Sequence, residues 1–202
     1  MKKVCFAAIA ILISLCTYSH ALFAPSSGKN VTTTAGNFKQ VNSTIKVLAV
    51  LPLDNDTGKE EAGGWLRDAL IEGFESYSFY LVLNQETIDS KLKEANIDDI
   101  YSCSPQKLGE ILGAEGLVYG RMTLFKEDVN IVSASVKSGA RIQVVHAPTG
   151  RVIYDSQQFD NTKSLTPGGI IFASIEAIRN LRNNLLKKYP LKKKVETYKR
   201  VR

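Results

Sequence analysis

The chain has 202 residues, a formal net charge of +6, and apolar and charged fractions ordinary for a soluble globular protein. That length suits one domain with appendages. The excess positive charge lies after about Ile178, where Glu196 is the only acid, so the body before it is mildly acidic. This distribution, with no clustered arginine among aromatics in the body, argues against a nucleic-acid-binding fold.

Met1–Ala21 reads as a secretory signal peptide. Lys2 and Lys3 make a positive start, and Val4–Leu15 is an apolar run too short for the roughly 20 residues of a membrane span. Ser19-His20-Ala21 puts small residues where signal peptidase I reads, which predicts a soluble mature chain starting at Leu22. The rival reading is lipidation at Cys16. Leu15 then stands where a lipoprotein signal carries a small residue. Cleavage at Ala21 leaves Cys103 as the one thiol, so no internal disulfide staples the fold. Residues 22–44 are rich in Ser, Thr, Asn and Gly without periodicity, and read as a flexible linker.

Ile45–Leu53 is a nearly unbroken apolar run, which predicts a strand covered on both faces. Pro52 should end its pairing, and Asp54-Asn55-Asp56-Thr57-Gly58 supplies turn chemistry, with Asp56 or Thr57 capping the next helix. Glu60–Glu75 has helical apolar spacing. Trp65 is expected to anchor it to the sheet, with a cost of about 3–5 kcal/mol on truncation to alanine. Phe79–Leu83 reads as a strand, Asn84 as the cap of a helix over Gln85–Ala95, and Ser104-Pro105 as the start of a short helix ended by Gly113. Gly116–Phe125 is a second apolar strand.

Ser133, Ser135, Ser138 and Gly139 break the following stretch, so that only Ala140–Val145 reads firmly as strand. Ala147-Pro148-Thr149-Gly150 is a tight turn, and Arg151–Phe159 an antiparallel return. Thr166-Pro167 opens a helix with Ile171, Ile175, Ile178, Leu181 and Leu185 as its buried stripe, and Pro190 stops it. Residues 191–202 are a basic tail. Lys192, Lys193, Lys194, Lys199, Arg200 and Arg202 either solvate the chain or dock it to an anionic surface.

Catalytic signals are sparse. His146 is the one histidine after the signal peptide, and no zinc spacing, phosphate loop or nucleophile elbow accompanies it. Asp54 and Asp56 at a strand end invite comparison with Mg²⁺-dependent phosphatases. Thr57 and Gly58 stand in the wrong order for that motif, and Asp98-Asp99 is the only later acidic pair on offer. The residues imply no enzyme, no cofactor and no metal.

Three pieces occur in order: Val50-Leu51-Pro52-Leu53-Asp54-Asn55-Asp56-Thr57-Gly58, then Leu112-Gly113-Ala114-Glu115-Gly116-Leu117-Val118-Tyr119-Gly120, then Pro148-Thr149-Gly150. Together they resemble a family of uncharacterised Gram-negative cell-envelope lipoproteins. The domain of that family is similar to the periplasmic domain of the curli-secretion channel and to the amino-terminal domain of TolB. The resemblance covers about residues 45–188. It implies a non-enzymatic periplasmic interaction protein, associated with the outer membrane and accessory to curli-like secretion or surface assembly. The alternative it implies is a regulator of a periplasmic enzyme such as a peptidoglycan synthase. The partner in either case is an envelope protein, with self-association left open and no nucleic acid. Only Lys126–Gly139 is available for a membrane hairpin of the channel kind, one strand at most. The expected architecture is one α/β domain over 45–190, a TolB-amino-terminal-like mixed sheet of four or five strands packed by three or four helices.

Overall fold

The computed structural model describes residues 45–76, 80–164 and 169–189. The signal peptide, the linker, all six basic tail residues, Phe79, Thr166-Pro167 and Pro190 lie outside these. The described chain is a mixed α/β fold. In chain order it runs β1 (Val47–Val50), β2 (Asp54–Asn55), α1 (Ala62–Glu75), β3 (Leu81–Val82), α2 (Gln85–Glu94), α3 (Pro105–Leu112), β4 (Gly116–Val129), β5 (Ala134–His146), β6 (Arg151–Ser164) and α4 (Ile170–Leu186). The sheet order is β3-β1-β4-β5-β6. β1 is parallel to both its neighbours, and the β4-β5-β6 meander is antiparallel.

The apolar run beginning at Ile45 is buried on both faces, as its composition demands. Leu48 and Val50 face a core built with α1 and α4, while Ala49 and Leu51 face a second core built with α2 and α3. Pro52 interrupts pairing without ending it. Asp54 and Asn55 resume as β2, parallel to β4 at Arg121 and Met122. The turn beyond is organised by Asn55 together with the Thr57 hydroxyl, which accepts from the Lys59 amide at 3.3 Å, and neither Asp56 nor Thr57 caps α1. Asn55 Oδ1 accepts from the Thr57 amide (3.1 Å) and hydroxyl (2.6 Å), and its Nδ2 donates to the carbonyls of Lys59 and Glu60. The residue before α1 is Glu61, which makes no side-chain cap.

The starts of α2 and α3 and the end of α3 follow their sequence signals. Asn84 accepts from the Thr87 amide at 2.8 Å, and Ser104 from the Lys107 amide at 3.3 Å ahead of Pro105. Gly113 and Gly150 take left-handed φ values of 72° and 66° at the end of α3 and in the β5-β6 turn.

The meander is longer than its sequence suggests. Ser135, Ser138 and Gly139, which read as breaks, lie inside β5, and β6 continues past Phe159 to Ser164. The reason is cover from outside the strand. Ser138 is buried on the α4 face, and the Phe159 ring fills the space over Gly139, where a Cβ would come within 2.4 Å of it. Tertiary packing thus replaces local propensity.

The second motif is a packing device. Glu115 Oε2 accepts from the amides of Lys46 (3.2 Å) and Val47 (2.7 Å), tying the start of β4 to β1. A Cβ at Gly120 would come within 2.6 Å of Leu53. These residues carry the fold rather than chemistry.

Candidate functional site: an apolar groove between two helices

The residues singled out for chemistry are spoken for structurally. Arg121 donates to Asp54 (2.7 Å) and to Asp56 (3.3 Å), so both carboxylates of the phosphatase-like pair face one guanidinium. Asp99 caps a short 3₁₀ turn by accepting from the Tyr101 amide at 2.8 Å. Burial, with the Asp54 carboxylate beside it, pushes the Tyr101 phenol well above its usual pKa. His146 is half-buried at the end of β5, its Nδ1 2.8 Å from the Thr149 hydroxyl, and Cys103 is half-buried before α3. Among the described residues no group of three or more His, Cys, Asp or Glu is placed to hold a metal.

The surface that stands out is apolar. α1 and α4 lie side by side on one face of the sheet and touch where Gly73 meets Arg182 and Leu186. Between them, from Trp65 to Arg182, runs a groove of about 630 Å³, within the size range of small-molecule sites. Its walls are Trp65 and Ala69 from α1 and Ile170, Ile171, Ile175 and Ile178 from α4. Charges of both signs rim it. Lys59 Nζ lies 5.5 Å over the Trp65 ring and 3.9 Å from Glu127, and Arg182 pairs with Glu72 at 2.9 Å. The Ser174 hydroxyl, 3.1 Å from Glu127, joins α4 to β4 in the floor.

Two sequence expectations are corrected here. Trp65 is not buried between helix and sheet. It is 38% exposed, in a T-shaped contact with Phe125 (ring centroids 5.8 Å apart) and lining the groove. The α4 stripe splits as well. Ile178, Leu181 and Leu185 are buried, whereas Ile171 is 68% exposed and Ile175 is exposed too. The small residues Ala173, Ser174 and Ala177 take the sheet-facing positions in the first half of α4, so the larger isoleucines fall on its flank. Periodicity cannot reveal this, because both lines repeat at helical spacing. Trp65→Ala is therefore expected to cost about 1–2 kcal/mol, not the 3–5 of a buried ring, when measured by urea denaturation.

No protein-family model and no curated protein matches the sequence. Among solved structures, lipoprotein GNA1162 from Neisseria meningitidis is similar at a TM-score of 0.51 and 18% identity, over 67% of this chain and 99% of that one. A PelC dodecamer from Paraburkholderia phytofirmans gives 0.44 and 10% over 69% and 87%. The LpoB C-terminal domain from Escherichia coli gives 0.40 and 12% over 61% and 93%. The chain thus has the fold seen in the neisserial lipoprotein. Among the described residues, no helix is long and apolar enough to cross a membrane.

Proposed function

We propose that this chain is a non-enzymatic protein of the bacterial cell envelope that works by docking an amphipathic helix of a periplasmic partner in the α1-α4 groove. The observation that carries this is the set of large apolar side chains, Trp65, Ile171 and Ile175, left open along one groove. An apolar trough with charged rims of both signs fits a helix with one apolar face, read at three-to-four-residue spacing. The export signal and the motif resemblance support the periplasmic side of the envelope, near the outer membrane.

Of the two partner classes the resemblance implies, we favour a periplasmic enzyme, such as a peptidoglycan synthase, that the chain regulates. A regulator needs a docking surface on a stable domain and no reaction of its own. An accessory of a curli-like secretion channel remains the second reading. The expectation of one strand at most in Lys126–Gly139 is corrected, since that stretch holds the ends of two strands. β4 and β5 nevertheless stay paired over their length within one sheet, and neither leaves it as a free hairpin of the channel kind.

A photoreactive residue at Ile175 in living cells is expected to give one dominant envelope adduct, lost when Ile171→Asp is added. If the adduct is an enzyme, the purified chain should change its turnover, and Ile171→Asp with Ile175→Asp should abolish that effect while leaving thermal unfolding within a few degrees of the parent. Full regulation by the double variant overturns the groove reading. Hydrolysis of a phosphoester by the chain, lost in Asp54→Asn, overturns the non-enzymatic one.

A further inference from the structure

The far end of the β4-β5 hairpin is a second exposed apolar surface, and its surroundings differ from those of the groove. Ile131 is 92% exposed and Val132 is 72% exposed, with Val129 also exposed beside them. Water-facing aliphatic residues at a loop tip carry a cost in solubility and no packing gain. Three of the backbone amides beneath them are paired within the tip. Asn130 Oδ1 accepts from the Val132 amide (3.1 Å) and the Ser133 amide (2.8 Å), and the Asn130 amide donates to the Ser133 carbonyl (2.9 Å). Each of these pairs lowers the cost of bringing the tip into a poorly hydrated phase, since an unpaired group there costs several kcal/mol.

Directly behind the tip stands a group of lysines. Lys126 and Lys137 are opposite each other across β4 and β5, and Lys163, opposite Ser135, shares their face on β6. That face is turned away from α4, which packs against Val136, Ser138 and Ala140 on the other side. None of the three lysines has an ion pair among the described residues. Like charges directly opposite on neighbouring strands repel, and Asp128 is the one acid on the same face near the tip. Glu127 points the other way, held by Lys59 and Ser174.

An apolar tip backed within a few residues by unpaired lysines matches the layering of a bilayer interface. Aliphatic side chains reach the acyl boundary, and lysine stems stretch so that the ammonium groups meet lipid phosphates. We propose that the β4-β5 tip is a membrane-docking element. It inserts Ile131 and Val132 into the interface of an anionic phospholipid bilayer, while Lys126, Lys137 and Lys163 bind the headgroup phosphates. The site is separate from the groove and does not depend on the partner read there. It is also separate from the basic tail, so the two anionic-surface readings can be told apart.

The test uses the full chain with Trp65→Phe and Ile131→Trp, so that its one tryptophan reports from the tip. Added vesicles rich in phosphatidylglycerol, with brominated acyl chains, are expected to shift its emission to the blue and quench it. Phosphatidylcholine vesicles should require at least tenfold more lipid. Lys126→Gln with Lys137→Gln and Lys163→Gln should weaken the response roughly 100-fold, at about fivefold per lysine near an anionic surface. Salt at about 1 M, where the Debye length is about 3 Å, should do much the same. Converting the six basic residues of the 191–202 tail to glutamine should leave the quenching in place. Absence of quenching, equal response on phosphatidylcholine, indifference to the three lysines, or loss on tail neutralisation would each overturn the proposal. Binding of polyglutamate with position 131 unquenched by vesicles would assign the lysines to an acidic protein and overturn it as well.

Discussion

Phe74→Ala is expected to remove about 4–5 kcal/mol of stability, the largest loss from any single truncation considered for this fold. Phe74 is fully buried on α1, and its ring meets Tyr189 edge-on with centroids 5.4 Å apart. Tyr189 in turn packs edge-on against Tyr154 at 5.0 Å and approaches the Tyr80 hydroxyl at 3.3 Å. Tyr154 donates to the Leu185 carbonyl. This aromatic cluster is where α1, the lead into β3, β6 and the end of α4 are held together. Truncating a buried phenylalanine typically costs about 3–5 kcal/mol, and lost aromatic pairing adds about 0.5–1.5. Against a total of about 5–15 kcal/mol, such a loss brings the domain close to unfolding at ambient temperature. Urea denaturation of Phe74→Ala beside Phe74→Leu, expected to cost less than about 1.5 kcal/mol, measures it. A loss below about 1.5 kcal/mol for the alanine variant would show that the cluster does not hold α4 in place.

Asp89→Ala is expected to cost about 3 kcal/mol, and more than Arg67→Met. The Arg67 side chain is 6% exposed on α1, beneath α2. Its Nε donates to the Val50 carbonyl at 3.1 Å, and its two terminal nitrogens grip Asp89 at 2.9 and 2.7 Å. Removing Asp89 strands a buried guanidinium with one strong acceptor. Removing a partner from a buried pair costs about 3–5 kcal/mol, and the lower end applies because Asp89 itself is half exposed and water can follow. Arg67→Met removes the buried charge itself and leaves the half-exposed Asp89 to the solvent, so about 1–2 kcal/mol is expected. Chemical denaturation of both variants decides. Equal losses would mean that Arg67 reaches water once Asp89 is gone.

Much of the scaffold was legible in the sequence because its signals are local. A continuous apolar run such as Leu48–Leu51 can only be satisfied by cover on two faces, whichever helices supply it. Asn84, Ser104-Pro105 and Gly113 mark helix boundaries through hydrogen bonds and φ values that span three or four residues. The α/β class follows from these signals and from the β-α-β order, without knowledge of any long-range contact.

The candidate surfaces were not legible, since which side of a helical stripe remains uncovered depends on elements far away in the chain. The sequence by itself determined that α4 is amphipathic. Only the packing of Ala173 and Ala177 onto the sheet decided that Ile171 and Ile175 flank a groove. The apolar and aromatic character of Trp65 promised burial, but the ring meets Phe125 of β4 in a T-shaped contact and stays 38% exposed. Ser138 and Gly139 promised a break in β5, and Phe159 with the α4 face removed it by covering them. Lys126, Lys137 and Lys163 are scattered charges along the chain and become neighbours only through the register of β4, β5 and β6. Local propensity and capping act over one turn of chain, whereas exposure is a property of what lies opposite, so the elements were written in the sequence and the sites only in their assembly.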